Sequence, residues 1–349
     1  MKQFKSNKIG IFSDIHIGLG QDSSIWHETV LNFGKWASEK FNSLGITEIA
    51  IPGDIFHNRS EISVKTLDVC KQFFDYFKEF ELIISVGNHD VFKKNASDIH
   101  SLKLLSEWKN ITIIDVNPEI YKTPSDKTVS FIPWATDLEN FPKTDICFGH
   151  LDIQSFYMNG LKLCDHGFES KNLFEKSKYI ISGHFHKKDF REYTDGNILY
   201  LGSPFQHNFG DINDERGIYV FDLDKKHFEF IQNTLSPIHK KIKVSDLMDK
   251  KIKSDDLKKD VPNNLICLVI DRSITPDVHS ILVSKIQNLE PKLLKIEFNE
   301  PQKELNSDGS EEFEISDISK SLNEYIESMD VQNKKELKEY ILNVYDNLK

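Results

Sequence analysis

The chain has 349 residues, of which 39% are hydrophobic and 28% charged, and this composition excludes a wholly disordered protein. The net charge of −11 argues against a protein that coats nucleic acid through overall basicity, although it allows a local basic groove. No apolar run reaches the roughly 18 residues of a membrane helix, and the four cysteines lack the spacing of a zinc site. We therefore expect a cytoplasmic protein that does not enter a membrane.

The first part of the chain alternates short apolar runs with amphipathic stretches. Apolar side chains recur at steps of three and four residues over 26–41 and 64–77, which predicts two helices. Unbroken apolar runs predict strands at 9–12, 49–51 and 82–86. The order strand, helix, strand, helix, strand is typical of a parallel α/β sheet with right-handed crossovers.

After these elements the apolar runs follow one another at close spacing. We predict strands at 111–114, 129–133, 146–148, 179–182, 198–201 and 218–221, and an edge strand at 227–231. A domain boundary is expected near Pro237. Beyond it, 265–270, 276–289 and 293–298 predict strand, helix and strand in a small α/β unit. A polar linker and two short helices with apolar stripes complete the chain, and these helices either pack on their own domain or bind a partner.

Five turns, each directly after an apolar run, carry side chains that bind metal ions. They are Asp14-x-His16, Gly53-Asp54, Gly87-Asn88-His89-Asp90, Gly149-His150 and Gly183-His184-x-His186. Because the carboxyl ends of the strands in an open α/β sheet share one edge, we expect these turns to meet. Carboxylate, amide and imidazole ligands suit manganese, iron or zinc better than calcium. Seven ligands are too many for one ion, but they suit two ions about 3.5–4 Å apart that clamp a phosphate.

This order of motifs resembles the calcineurin-like metallophosphoesterase superfamily. The resemblance implies an α/β (α+β) fold in which a two-layer β-sandwich is flanked by helices. It also implies a ligand set, in which one metal ion is held by Asp14, His16 and His186, the other by Asn88, His150 and His184, and Asp54 bridges the two. His89 would stabilise the transition state or protonate the leaving oxygen, and Asp90 would orient His89.

Further motifs resemble the SbcD-type nucleases, and among them the recombination endonuclease subunits of tailed phages. They are Gly53-Asp54-Ile55-Phe56-His57, Tyr200-Leu201-Gly202-Ser203-Pro204-Phe205-Gln206, Phe209-Gly210-Asp211 and Asp214-Glu215-Arg216-Gly217. The resemblance implies a manganese-dependent DNA exonuclease with structure-selective endonuclease activity, acting as a homodimer in the cytoplasm, or in the host cytoplasm if a phage encodes it. An SMC-like ATPase of the SbcC type would be its partner, since this chain has no G-x-x-x-x-G-K-[ST] loop. His57 and Arg216 are candidate substrate contacts, although an ordinary loop role explains each equally well.

The domain organisation follows from these patterns. We predict a nuclease domain at 1–237, a capping domain that contacts DNA at 238–300, a linker at 301–312 and ATPase-binding helices at 313–349. The dimer could form through the helices at 26–41 or 64–77, but core packing explains their apolar faces equally well. Two alternatives remain open. One is a phosphoesterase for small nucleotides or phosphoproteins, and the other is a non-catalytic regulatory subunit of the ATPase, against which the complete ligand set argues.

Overall fold

The computed structural model describes residues 2–158 and 162–299, and one compact unit spans Met1–Glu300. The strands in the described ranges are β1 (Lys2–Gln3), β2 (Lys8–Ile11), β3 (Glu48–Pro52), β4 (Glu81–Ser85), β5 (Val91–Lys93), β6 (Ala96–His100), β7 (Ile111–Ile114), β8 (Glu119–Lys122), β9 (Thr128–Ile132), β10 (Thr144–His150), β11 (Ser177–Gly183), β12 (Asp189–Tyr193), β13 (Gly196–Tyr200), β14 (Gly217–Asp222), β15 (His227–Gln232), β16 (His239–Lys243), β17 (Leu265–Ile270) and β18 (Leu293–Phe298). The α-helices are α1 (Leu19–Asp22), α2 (Ser24–Ser43), α3 (Val64–Asp75), α4 (Ser170–Phe174), α5 (Val244–Met248), α6 (Ser254–Asp260) and α7 (Pro276–Gln287).

Two sheets pack face to face and form a sandwich. The first has six strands in the order β15-β14-β2-β3-β4-β7, and the second has seven in the order β1-β8-β9-β10-β11-β13-β12. The strands β2, β3, β4 and β7 are parallel to one another, as are β9, β10, β11 and β13. One apolar cluster joins Ile11 and Ile83 of the six-stranded sheet to Phe131 and Phe148 of the seven-stranded sheet. The predicted two-layer fold is therefore confirmed.

Both faces of the six-stranded sheet are covered, which explains its unbroken apolar strands. In β4, Ile83 faces the other sheet, whereas Leu82 and Ile84 pack on the opposite side in the cluster that α2 and α3 complete. Helix α2 contributes its predicted apolar stripe, and Phe33 stacks against Phe73 of α3 with ring centroids 6.3 Å apart. These buried rings hold the helices against the sheet, so the strand ends are presented on a rigid base.

A third sheet follows the sandwich, with three parallel strands in the order β16-β17-β18. All six residues of β17 are buried, and a separate apolar cluster joins Ile266, Leu268 and Ile270 of this strand to α5, α6 and α7. The predicted strand, helix and strand lie at Leu265–Ile270, Pro276–Gln287 and Leu293–Phe298. The role of this unit as a separate capping domain stays a prediction.

Two further predictions concern the residues after 300, and a third concerns membrane helices. The linker at 301–312 and the helices at 313–349 lie outside the described residues. Among the helices of the described ranges, none combines the length and the apolar character needed to cross a bilayer.

Candidate metal centre

The five predicted turns meet at one edge of the sandwich. Strands β2, β3 and β4 of the first sheet and β10 and β11 of the second lead into these turns at their carboxyl ends. Two contacts join the sheets there: the His184 backbone N–H donates to Asp14 Oδ1 over 3.0 Å, and His150 Nδ1 donates to the Pro52 carbonyl over 2.7 Å. The edge where the strands end is therefore also the place where the two sheets approach.

Asp54 lies between two sets of predicted ligands. Its Oδ2 is 3.5 Å from His16 Nε2 and 3.3 Å from His150 Nε2, so a single carboxylate oxygen reaches both sets. In the first set, His16 Nε2 lies 3.0 Å from His186 Nε2, and Asp14 is grouped with His16 and Asp54 within 4.8 Å. Asp54 therefore lies where a ligand that bridges two metal ions is expected.

The second set surrounds the side-chain amide of Asn88. One end of this amide lies 2.8 Å from His150 Nε2, 2.9 Å from His184 Nδ1 and 3.2 Å from Asp54 Oδ2. All seven predicted ligands are thus brought together, and most are deeply buried. The donor set of carboxylates, an amide and imidazoles fits divalent transition metals.

Each imidazole of the second set is fixed by a hydrogen bond on its outer nitrogen. His150 Nδ1 donates to the Pro52 carbonyl over 2.7 Å, and His184 Nε2 donates to Asp152 Oδ1 over 2.7 Å. The other nitrogen of each ring faces the centre, and it is unprotonated whenever the ring is neutral. A carbonyl or carboxylate in this position sets the tautomer and raises the basicity of a metal-binding histidine.

In the first set, the partner of the outer ring nitrogen is another imidazole and not a carbonyl or a carboxylate. His16 Nδ1 lies 3.4 Å from His57 Nδ1, and His186 Nδ1 lies 3.3 Å from His207 Nδ1. In each pair one ring donates and the other accepts, which leaves Nε2 of His16 and His186 directed at the centre. Neutral imidazoles are weaker acceptors than a carboxylate, so the two sets are supported differently.

The backbone at this edge adopts conformations that few residues tolerate. Asp14, His16, Asp54 and His184 have φ angles of 58°, 51°, 55° and 93°. Asp and His adopt this left-handed region more readily than most residues, but at a cost of order 1–3 kcal/mol each. Such strain concentrates at functional sites because it aims side chains that ordinary strand geometry would point elsewhere.

Burial acts against the negative charges of the centre. It raises the pKa of Asp14 to about 7, an effect that the nearby charge of Asp54 increases. Burial also acts to raise the pKa of Asp54, but His150 and His16 outweigh it and hold that pKa well below its usual range. A divalent cation would stabilise both carboxylates in their charged form.

Three of the imidazole ligands are held neutral. Burial lowers the pKa of His16 and His184, and it lowers the pKa of His186 to about 4. His150 differs: burial acts to lower its pKa, but the charge and hydrogen bond of Asp54 outweigh this and raise it to about 9. Neutral imidazoles are the form that binds metal.

His89 lies against the centre, and its ring is fixed by its neighbours. Its Nδ1 donates to the His57 carbonyl over 2.7 Å, its backbone N–H donates to Asp54 Oδ1 over 2.8 Å, and its ring centroid is 4.7 Å from that of His16. The predicted orientation of His89 by Asp90 is not what the contacts show. Asp90 accepts instead from the backbone N–H groups of Gly87 and of 54–56 at 2.9–3.1 Å, because its carboxylate is buried under two turns and binds them together.

The two predicted substrate contacts occupy different environments. His57 is half-buried and lies against His16 and His89 at the edge of the centre. Arg216 is buried, donates to the His186 carbonyl and pairs with Asp211 and Asp214 at 3.0 and 3.1 Å. These bonds hold the loop that carries His186, and a contact between Arg216 and substrate stays a prediction.

The structure also brings in three residues that the sequence analysis did not single out. Asp152 follows His150 by two positions, His207 directly follows the recognised motif that ends at Gln206, and Arg59 reaches the amide of Asn88. These residues could not be found from the sequence, because each lies beside a ligand in the folded structure and not at a regular interval from it along the chain.

Comparison with known proteins places the fold and the site in a family. Residues 7–188, more than half of the chain, match the family model of the calcineurin-like phosphoesterases, and the chain belongs to this family. The chain is therefore a metallophosphoesterase, of a family that uses divalent metal ions.

Individual relatives extend this match. Exonuclease subunit 1 of Enterobacteria phage T4 is 27% identical over 342 residues, which cover 92% of this chain and 93% of that protein. Among solved structures, an archaeal phosphodiesterase is 17% identical and covers 65% of this chain and 99% of its own, with a TM-score of 0.37. A dimetal phosphatase from Danio rerio is 11% identical and covers 62% of this chain and 92% of its own, with a TM-score of 0.39. The predicted resemblance to the superfamily and to phage nuclease subunits is confirmed.

Proposed function

We propose that this chain is a two-metal DNA nuclease that processes DNA ends, with double-strand exonuclease and structure-selective endonuclease activity. The observation that carries the proposal is the convergence of all seven candidate ligands at one centre, with His89 beside them. The match to the phage T4 exonuclease subunit supports DNA as the substrate, because it covers 92% of the chain and so extends far beyond 7–188. A phosphoesterase for small nucleotides has no need of that further part.

The ligand assignment follows the two sets of contacts. One ion would be held by Asp14, His16 and His186, the other by Asn88, His150 and His184, and both would share Asp54. Two divalent ions, for which we propose manganese, would supply a water-derived nucleophile and neutralise charge on the phosphate.

His89 is placed to act on the leaving group. Since the His57 carbonyl keeps a proton on Nδ1, the atom that can exchange a proton with the leaving oxygen is Nε2. The His57 carbonyl also stops the ring from turning, so that its position relative to Asp54 is set by two hydrogen bonds. General acid catalysis of this kind contributes about 10²–10⁴-fold to the rate.

Partners complete the proposal. The third sheet would cap the centre and contact DNA, the chain would act as a homodimer, and an SbcC-type ATPase would bind 313–349. The phage relative is described as a subunit, which supports an assembly. Of the lysines that could contact DNA, Lys188 pairs with Glu215 at 2.7 Å and Lys240 pairs with Asp260 at 2.7 Å, so both charges are partly neutralised. The ATPase and the dimer would then provide much of the contact with DNA.

Cleavage of a linear duplex in manganese tests the proposal. We expect the wild-type chain to degrade the duplex and His89→Ala to do so about 10²–10⁴-fold more slowly with an unchanged metal content. His227→Ala is the matched control, because His227 is an exposed histidine on the edge strand β15. A wild-type chain that leaves DNA intact, with and without its ATPase, but hydrolyses a small phosphodiester would replace this proposal with the small-substrate phosphoesterase.

A further inference from the structure

Arg59 is the one arginine of this chain that has no carboxylate partner in the described part of the structure. The chain has four arginines, and the other three form ion pairs: Arg191 with Asp189 at 2.7 Å, Arg216 with Asp211 at 3.0 Å and Arg272 with Asp249 at 3.3 Å. The Nε of Arg59 is buried, and it has no hydrogen-bond partner among the described residues. A half-buried guanidinium without an anion is unusual, since burying an unpaired charge is unfavourable.

The guanidinium reaches the metal centre through Asn88. Arg59 lies in the loop between β3 and α3, and its Nη2 is 2.9 Å from the end of the Asn88 amide that points away from His150 and His184. It therefore lies next to one of the candidate ligands rather than on the open surface. His57 lies in the same loop two residues before Arg59, and its carbonyl accepts the hydrogen bond from the ring of His89.

The amide of Asn88 cannot satisfy Arg59 and a metal ion at the same time. Without a cation, the amide makes the most hydrogen bonds with its oxygen toward Arg59 and its NH2 group toward Asp54 and the two imidazoles. A cation held with His150 and His184 needs the oxygen on their side, and this places the NH2 group against the guanidinium. Two donors then face each other, so Arg59 loses its acceptor when the metal binds.

We propose that Arg59 binds a non-bridging oxygen of the substrate phosphate at the metal centre, and that a cation held by Asn88 releases it for this role. The inference rests on the proposed function, and it names a phosphate contact within that site. Arginine is suited to the task because its planar guanidinium donates two parallel hydrogen bonds to a phosphate and keeps its charge at any pH of interest. Metal loading and phosphate binding are thereby coupled through one side chain.

Inorganic phosphate is the probe that tests this contact. In calorimetric titrations of the manganese-loaded chain, we expect Arg59→Ala to weaken phosphate binding by about 10- to 100-fold and Arg59→Lys to weaken it less. Without metal, the wild-type chain and Arg59→Ala should bind phosphate equally weakly. Arg272→Ala is the matched control, because that arginine pairs with Asp249 far from any candidate ligand in the sequence.

Manganese affinity, followed by the EPR signal of the free ion, is the second measurement. Arg59→Ala should bind manganese as tightly as the wild-type chain or a few-fold more tightly, because the Asn88 oxygen no longer has a competing donor. Unchanged phosphate affinity in Arg59→Ala would overturn the inference. A parallel loss of manganese affinity would overturn it too, since Arg59 would then only support Asn88. If the wild-type chain does not cleave DNA but Arg59→Ala still binds phosphate more weakly than the wild type, the inference stands and the nuclease proposal fails.

Discussion

The metal centre and the junction between the sandwich and the third sheet both contain buried histidines, and the two regions use them differently. At the junction, the ring of His239 lies between Trp26 and Phe209, with centroids 5.8 and 4.7 Å away, and its Nδ1 is buried without a hydrogen-bond partner among the described residues. At the centre, His150 and His184 each use one ring nitrogen on an oxygen acceptor and direct the other at Asn88.

This difference separates a ligand from a packing residue better than burial or pKa does. Burial lowers the pKa of His239 to about 4 and also lowers the pKa of His184, so the two rings titrate in the same direction. What His239 lacks is an outer acceptor that fixes its tautomer and a converging set of donor atoms. The centre has both, and its ligands are also placed by a strained backbone.

The largest effect is expected for Asp54→Asn, which removes the charge that both sets share. We expect the purified variant to retain at most one manganese ion per chain where the wild type retains two, and its cleavage rate to fall by more than about 1000-fold. Metal analysis after preparation in manganese measures the first quantity. The control is Asp145→Asn, an acidic residue that pairs with Lys226 away from the centre. A wild-type chain without bound metal under these conditions would instead favour the non-catalytic subunit.

A smaller effect is expected at the outer partners, and it distinguishes the two sets of ligands. Asp152→Asn removes the carboxylate behind His184, and we expect manganese affinity at one site to fall by about 10- to 100-fold. His207→Gln removes a neutral partner of His186, and the loss at the other site should be below about tenfold. Two-site manganese titrations measure both values. Equal losses in the two variants would mean that a carboxylate and an imidazole support these ligands equally.

The outer partners also mark the limit of what the sequence could predict. The five turns were recognisable because each follows an apolar strand, and parallel strands place their carboxyl ends together. Asp152 and His207 act only through a neighbouring ligand, and neither has a fixed spacing from it. The role of Asp90 was predicted wrongly for the same reason, since the N–H groups that donate to its carboxylate lie on a turn more than 30 residues earlier in the chain.

Strand prediction failed where apolar patterning was weak. The helix and strand pattern over 265–298 was predicted closely, because every residue of β17 is apolar and buried. Two of the unpredicted strands, β8 and β12, are short and carry charged residues, and β12 is the edge of its sheet. Their place is decided by pairing with β9 and β13, and local sequence does not record such pairing.

The smallest effect is expected at His239, whose protonation in acid should weaken the junction. The folded-state pKa of about 4 lies below the usual 6.5, so between these values the unfolded chain binds more protons than the folded chain, and stability falls as the pH falls. The loss of stability attributable to this ring is at most about 1.4 kcal/mol per pH unit. The nearby charges of Asp211 and Arg216 act in opposite directions on the pKa of His239.

His239→Phe keeps a ring between Trp26 and Phe209 but cannot take up a proton. We therefore expect the free energy of unfolding in urea, measured from pH 6.5 to pH 5 in manganese, to fall less steeply for His239→Phe than for the wild type. Equal slopes would mean that His239 takes up a proton as readily in the folded chain as in the unfolded chain, and the contrast with the histidines of the centre would then be lost.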